Sequence, residues 1–266
     1  MLARGSDPPA RASTGLLLQP AGTSTTAVPA NWPGVDKMIR SVAPQVRFLV
    51  AAVNGNTCRA VHAIDAAKTA PLGSAYKLYV LDALARAVAA GTVRWDQSLT
   101  VTSHVKSLPS GVLQNDPDGT RVSVLRAATE MISISDNTAA NMLIALLGRH
   151  AVEAATRASG MADPALDVPF LTTRELFALK LHDWPELAKR YLALGAAGRQ
   201  ALLSGTVDRV PLSTLPTASW TGPRDIGSLE WFASPTYAMC SPRSPRWPGS
   251  PSWPRSPASS NVTLVA

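Results

Sequence analysis

The sequence is poor in cysteine, in aromatic residues and in long apolar runs. Its two cysteines, Cys58 and Cys240, are too few for a disulfide framework and are read as unpaired thiols. No stretch approaches the roughly 20 consecutive apolar residues of a spanning helix, which argues against a membrane span. Near the N-terminus only Leu16, Leu17 and Leu18 stand together before Gln19 and Pro20. That run is far too short for a signal-peptide core. Either the protein is not exported or the given start lies inside a longer chain. A clustered basic stripe is also missing. The formal charge is +7, but Arg243, Arg246 and Arg255 lie in a tract, residues 241–260, that holds no acid. Lysines and arginines elsewhere are scattered singly, so no nucleic-acid partner is expected. The histidines His62, His104, His150 and His182 lack metal-ligand spacing. With no Gly-rich phosphate loop either, no cofactor or metal is expected.

Hydrophobic residues make up 46% of the chain, enough for a sizeable core. Residues 1–32, rich in Ser, Thr, Pro and Gly, read as a flexible leader. A catalytic domain is expected over 33–235, with a helical half at 74–204. A short helix is expected from Pro33 to Ser41. The apolar runs Val46–Val53 and Cys58–Ile64, around Asn54-Gly55-Asn56, read as a β-hairpin. From Ser74 the pattern turns helical, with Leu78, Leu81, Leu84 and Val88 marking the apolar face and Gly91 the end. An extended piece spans Ser98–Val101. Ser123 reads as an N-cap, further helices fit Thr138–Leu147 and Val152–Ser159, and Thr172 with Glu175 has capping-box spacing. Short helices around Glu186–Leu194 and Arg199–Leu203 follow. Residues 236–266, rich in Ser, Pro and Arg, are expected to be a disordered tail.

Two constellations could carry chemistry. In Gly73-Ser74-Ala75-Tyr76-Lys77, a serine at a helix start has a lysine three residues on, on the same face. A serine hydroxyl attacks poorly until a base takes its proton. A lysine serves if burial and nearby positive charge lower its pKa. The helix start offers that partial charge and N–H groups for an oxyanion. Alone, the same spacing fits an N-cap serine followed by a surface lysine. A second copy, Ser103-His104-Val105-Lys106, precedes Pro109 with no amphipathic helix behind it and is read as incidental. The second constellation is Met131-Ile132-Ser133-Ile134-Ser135-Asp136-Asn137-Thr138-Ala139-Ala140-Asn141, between two apolar helical segments.

S-x-x-K followed about sixty residues later by S-D-N resembles the class A serine β-lactamases and the wider penicillin-recognising serine hydrolases. The stretch Gly91-Thr92-Val93-Arg94-Trp95-Asp96-Gln97-Ser98-Leu99-Thr100 is similar to the element that follows their nucleophile helix, and the likeness covers roughly residues 45–185. The resemblance implies an α/β (α+β) fold of the β-lactamase/transpeptidase type, a helical subdomain plus an antiparallel sheet built from both chain ends. It implies acylation of Ser74, with Lys77 helping to deprotonate it. Ser135 would relay a proton to the leaving nitrogen, and Asn137 would hydrogen-bond the substrate amide and Lys77. Asp136 would brace the loop, and the Ser74 N–H would form half of an oxyanion hole. The implied partner is a small β-lactam or related acyl or ester substrate, the implied setting extracytoplasmic, as in bacterial antibiotic resistance, and a monomer is expected.

Two departures qualify the resemblance. The family's deacylating glutamate, with an asparagine four residues later, has no counterpart in residues 157–173. Only Asp163 and Asp167 are acids there. No lysine follows Lys189, so the third motif, K-T-G, is missing. Trp220-Thr221-Gly222 is its nearest remnant. The abrupt change after Pro235 reads as a changed reading frame or a truncation. The sheet is therefore expected to be incomplete, leaving a hairpin without partners, a marginal structure. An esterase or D,D-peptidase-like relative with slow deacylation, and an inactive truncated homologue, stand as alternatives.

Overall fold

The computed structural model describes residues 29–54, 57–108, 110–216, 229–233 and 261–265. The leader before residue 29, the Asn-Gly turn at 55–56, the Thr221-Gly222 remnant, Cys240 and most of the Ser-Pro-Arg tract lie outside them. The side chain of Cys58 does too, so the expectation of unpaired thiols falls outside the described residues.

A first helix, α1 (Trp32–Arg40), is capped by the Asn31 side chain, which accepts from Gly34 N–H. It lies against a hairpin of β1 (Phe48–Asn54) and β2 (Thr57–Ile64). Val35 and Ile39 of α1 meet Phe48, Val50 and Ile64 on one face of the sheet. The register slips between Val50 and Ala51, as a bulge does. The short strand β3 (Ala70–Pro71) leads into a single 3-10 turn, Gly73–Tyr76, and then α2 (Lys77–Ala89). Ser74 thus sits in the turn that feeds the helix rather than opening the helix itself. Gly73 turns the corner at φ +53°, a conformation open to glycine at little cost.

The helical half follows the expected order. β4 (Ser98–Thr100) pairs with β5 (Arg121–Ser123). Next come α3 (Val124–Ser133), α4 (Asn137–Leu147), α5 (Arg149–Ala158) and α6 (Thr173–Leu181). α7 (Glu186–Leu192) and α8 (Ala196–Gly205) complete it. Ser123 caps α3 through Arg126 N–H, and Thr172 with Glu175 forms the reciprocal capping box of α6. Gly148, at φ +77°, separates α4 from α5.

The buried face of α2 differs from the leucine stripe. Tyr76, Val80, Ala83 and Leu84 enter the core while Leu78 stays 46% exposed. A stripe drawn through leucines overlooks Ala83 and the tyrosine, whose spacing of four, seven and eight residues defines the inner face. That rotation turns Lys77 inward, to 2% exposure. Around α2 lie Met131 of α3, Leu143 of α4 and Val152 of α5, all fully buried in one core cluster. Each such side chain contributes about 1.5–3 kcal/mol by leaving water.

At the other end, β6 (Phe232–Ala233) pairs antiparallel with β3, and β7 (Asn261–Val265) pairs antiparallel with β1. The larger sheet has the order β2-β1-β7. This corrects the expectation of a partnerless hairpin, and β7 lies within the Ser/Pro/Arg-rich tail segment. An uncovered edge of β1 would present a row of unpaired N–H and C=O groups. β7 covers it, with Leu49 opposite Val265 and Ala52 opposite Val262. Among the described residues this sheet has three strands and is small, in keeping with the missing strand motif. The architecture is α+β, helices beside a short antiparallel sheet.

Candidate active site

The site is assembled where α2, the turn before it and the link between α3 and α4 meet. The link is tight. Ile134 follows the end of α3, and Ser135 takes the left-handed conformation at φ +58°, which costs a non-glycine residue about 1–3 kcal/mol. Asp136 then caps α4. Its Oδ1 accepts from Ala139 N–H at 2.8 Å. Its Oδ2 accepts from Val112 N–H at 2.6 Å and Leu113 N–H at 3.0 Å. The buried carboxylate therefore locks a second segment, 108–113, against the link. Asn137 adds to the lock, donating from its backbone N–H to Ser110 O at 3.1 Å and from Nδ2 to Leu108 O at 3.0 Å. Gly111 makes the approach possible. At φ +98° any Cβ there would lie 2.2 Å from Asp136 Cγ.

Lys77 projects into this frame. Its Nζ donates to Ser135 O at 2.6 Å, Ser135 Oγ at 2.8 Å and Asn137 Oδ1 at 2.8 Å. Ser74 Oγ lies 3.5 Å away, at the outer limit of a hydrogen bond. An ammonium has three N–H donors, and these three nearer acceptors engage them. Burial pushes Lys77 down to about 8, against the opposing pull of the Asp136 carboxylate. The four residues singled out from sequence, Ser74, Lys77, Ser135 and Asn137, thus meet around one nitrogen.

Residues 35–193 match the family described as the beta-lactamase enzyme family. The chain belongs to that family. No curated protein matches it in sequence. Solved structures similar to this beta-lactamase family member include a beta-lactamase from Sphaerobacter thermophilus, 23% identical over 65% of this chain and 68% of that one, with a TM-score of 0.45. PBP-A is 21% identical over 64% and 66%, with a TM-score of 0.42. A beta-lactamase from Chitinophaga pinensis is 20% identical over 63% and 66%, with a TM-score of 0.40. The chain spans about two thirds of the length of each.

Two acids, Asp163 and Asp167, lie in the loop after α5. Asp163 caps the 3-10 turn Pro164–Asp167 through Ala165 N–H. Asp167 is buried, and its charge acts on Tyr79 and Tyr191. The loop is held at its far end. Glu153 accepts from Phe170 N–H at 3.0 Å, Arg149 donates to Phe170 O, and Trp231 Nε1 donates to Leu171 O at 3.0 Å. Trp231 also stacks on Tyr76, ring centroids 3.8 Å apart, and accepts Leu72 N–H at its carbonyl. It therefore joins the turn that carries Ser74 to the loop. The second S-x-x-K is structural. Lys106 pairs with Asp118, and the Ser103 N–H donates to the same carboxylate. Among the described residues no group of three or more His, Cys, Asp or Glu could hold a metal, and no helix is long and apolar enough to cross a membrane.

Sequence reasoning missed the segment 108–113 and Trp231. The signal for the first was Ser110-Gly111, a turn dipeptide placed before the S-D-N link. For Trp231, whose partners are 60 and 155 residues away in sequence, no local signal exists.

Proposed function

We propose that the protein is a serine hydrolase that opens β-lactams or related acyl compounds through an acyl-enzyme on Ser74. The observation that carries this reading is the Lys77 ammonium held by Ser135 and Asn137 beside the Ser74 hydroxyl. In the neutral form Lys77 Nζ takes the Ser74 Oγ proton. Oγ bonds to the carbonyl carbon, the C–N bond breaks, and Ser135 gives its hydroxyl proton to the leaving nitrogen, regaining one from the Lys77 ammonium. Asn137 hydrogen-bonds the substrate amide, and the Ser74 N–H supports the oxyanion. A lysine near 8 is matched to this task at neutral pH. The family's setting points to work outside the cytoplasm, on a small-molecule substrate.

Release of the acyl group is the slow step in this reading. The absence of a glutamate from residues 157–173 and the use of Asp163 as a turn cap favour it. They also favour the second reading, an esterase or D,D-peptidase-like relative in which the acyl-enzyme persists.

Intact-protein mass after incubation with a fluorescent penicillin tests the proposal. One adduct is expected, mapped by fragmentation to Ser74, forming faster as pH rises from 6.5 to about 8 because only the neutral lysine accepts the proton. No adduct, or one on another residue, sinks the reading in favour of an inactive homologue. Turnover of a chromogenic cephalosporin set against that of a p-nitrophenyl ester separates the two enzymatic readings.

A further inference from the structure

The Ser135 carbonyl serves two donors. Lys77 Nζ reaches it at 2.6 Å, and from the opposite segment the Ser110 hydroxyl reaches the same oxygen at 2.6 Å. A carbonyl oxygen has two lone pairs, and both are taken. The Ser110 side is rigid, because Ser110 O accepts from Asn137 N–H and the neighbouring Val112 N–H is held by Asp136. The Ser135 side is rigid as well, its left-handed backbone fixing the direction of its carbonyl.

We infer that Ser110 is a positioning residue for the Ser74 chemistry: its hydroxyl, by occupying the second lone pair of the Ser135 carbonyl, fixes that oxygen and limits how firmly it holds the Lys77 ammonium. The inference rests on the function proposed above and names a further residue of the same site.

One oxygen is shared between two donors. A hydrogen bond to the charged form of a group favours that form. The three acceptors around Nζ therefore all work to keep Lys77 protonated, as does the negative charge of Asp136. A base must escape that hold. A neutral hydroxyl drawing on the same carbonyl reduces the electron density available to the ammonium. Without it the full electron density of that fixed carbonyl is available to Nζ. The other groups around α2 do not supply this control. Asp82 and Arg86 pair with each other, Glu130 of α3 pairs with Arg126, and on α5 Arg149 pairs with Glu175 while Glu153 is engaged by Phe170 N–H and His150. α4 carries no charged side chain.

Ser110 is exposed, so its substitution leaves the core intact. The test uses the full chain as wild type, Ser110→Ala and Ser110→Thr. Lys77 is titrated by lysine-selective 13C and 15N NMR, its signal assigned by its loss in Lys77→Met. Acylation by the fluorescent penicillin is followed from pH 6 to 9. In Ser110→Ala the Lys77 midpoint should rise by about half a unit. Acylation at pH 6.5 should fall about threefold while the high-pH plateau is kept. Ser110→Thr should restore both. An unmoved midpoint in Ser110→Ala overturns the inference, as does a Ser110→Thr that behaves like alanine. If wild type takes no penicillin, the proposed function fails, and the NMR midpoints still decide the role of Ser110.

Discussion

Ser74→Ala protein should take up no penicillin at all, and Lys77→Met protein should acylate about 10²–10⁴-fold more slowly than wild type. The first removes the atom that bonds to the acyl carbon. The second keeps much of the stem's volume but removes the proposed base. The loss should fall on the acylation rate constant rather than on the pre-covalent affinity. Lys77 touches Ser74, Ser135 and Asn137, and its work is done when the proton moves. Stopped-flow labelling over a range of penicillin concentrations separates the two quantities. A Lys77→Met protein that acylates at the wild-type rate would assign the proton to another group. The remaining slope with pH should also flatten in Lys77→Met, because the group whose neutral form rises towards pH 8 is gone.

The second large effect is structural and is expected at Asp136. Asp136→Ala should lower unfolding stability by about 3–5 kcal/mol, read as a shift in the urea midpoint with an unchanged slope. The carboxylate is fully buried and satisfies three backbone N–H groups, those of Val112, Leu113 and Ala139. Alanine leaves those donors without an acceptor in a place water does not reach, and each orphaned donor costs about 1–3 kcal/mol. Asp136→Asn keeps one oxygen and sets an NH₂ against N–H groups, so it should fall between the two. Gly111→Ala attacks the same contact from the other side, through the 2.2 Å overlap of its Cβ with Asp136 Cγ. In each variant the Ser135 and Asn137 acceptors lose their fixed place around Lys77. Acylation should therefore fall even in the fraction that stays folded. An Asp136→Ala protein as stable as wild type would mean that the 108–113 segment is not held as described.

The parts legible in the sequence share a physical trait: their signals are local. Ser123 and Thr172 announce helix starts by a side chain reaching a backbone three residues on, and both caps form. Ser74 and Lys77 meet because one turn of helix separates them, and Ser135-Asp136-Asn137 lies in a link set by the helices on either side. The illegible parts depend on long-range packing. A leucine stripe places Leu78 in the core, whereas the position of α3, α4 and α5 around α2 decides which face turns inward. Ser110 and Gly111 sit 25 residues before the link they complete, and nothing in their neighbourhood names that partner. The third strand on β1 comes from the last residues of the chain, beyond any window that local periodicity can read.

The inward turn of Lys77 has a thermodynamic side. A lysine that releases its proton near 8 in the folded protein releases it at 10.5 when unfolded. Below pH 8 both states carry the charge, and the folded one holds it under burial, at a cost of about 3 kcal/mol. Between about pH 8 and 10.5 the unfolded chain binds the extra proton, so on this account folding stability climbs with pH. Lys77→Met should lack that climb. The residue proposed to arm Ser74 is therefore a weak point of the fold at neutral pH, and alkaline solution relieves it.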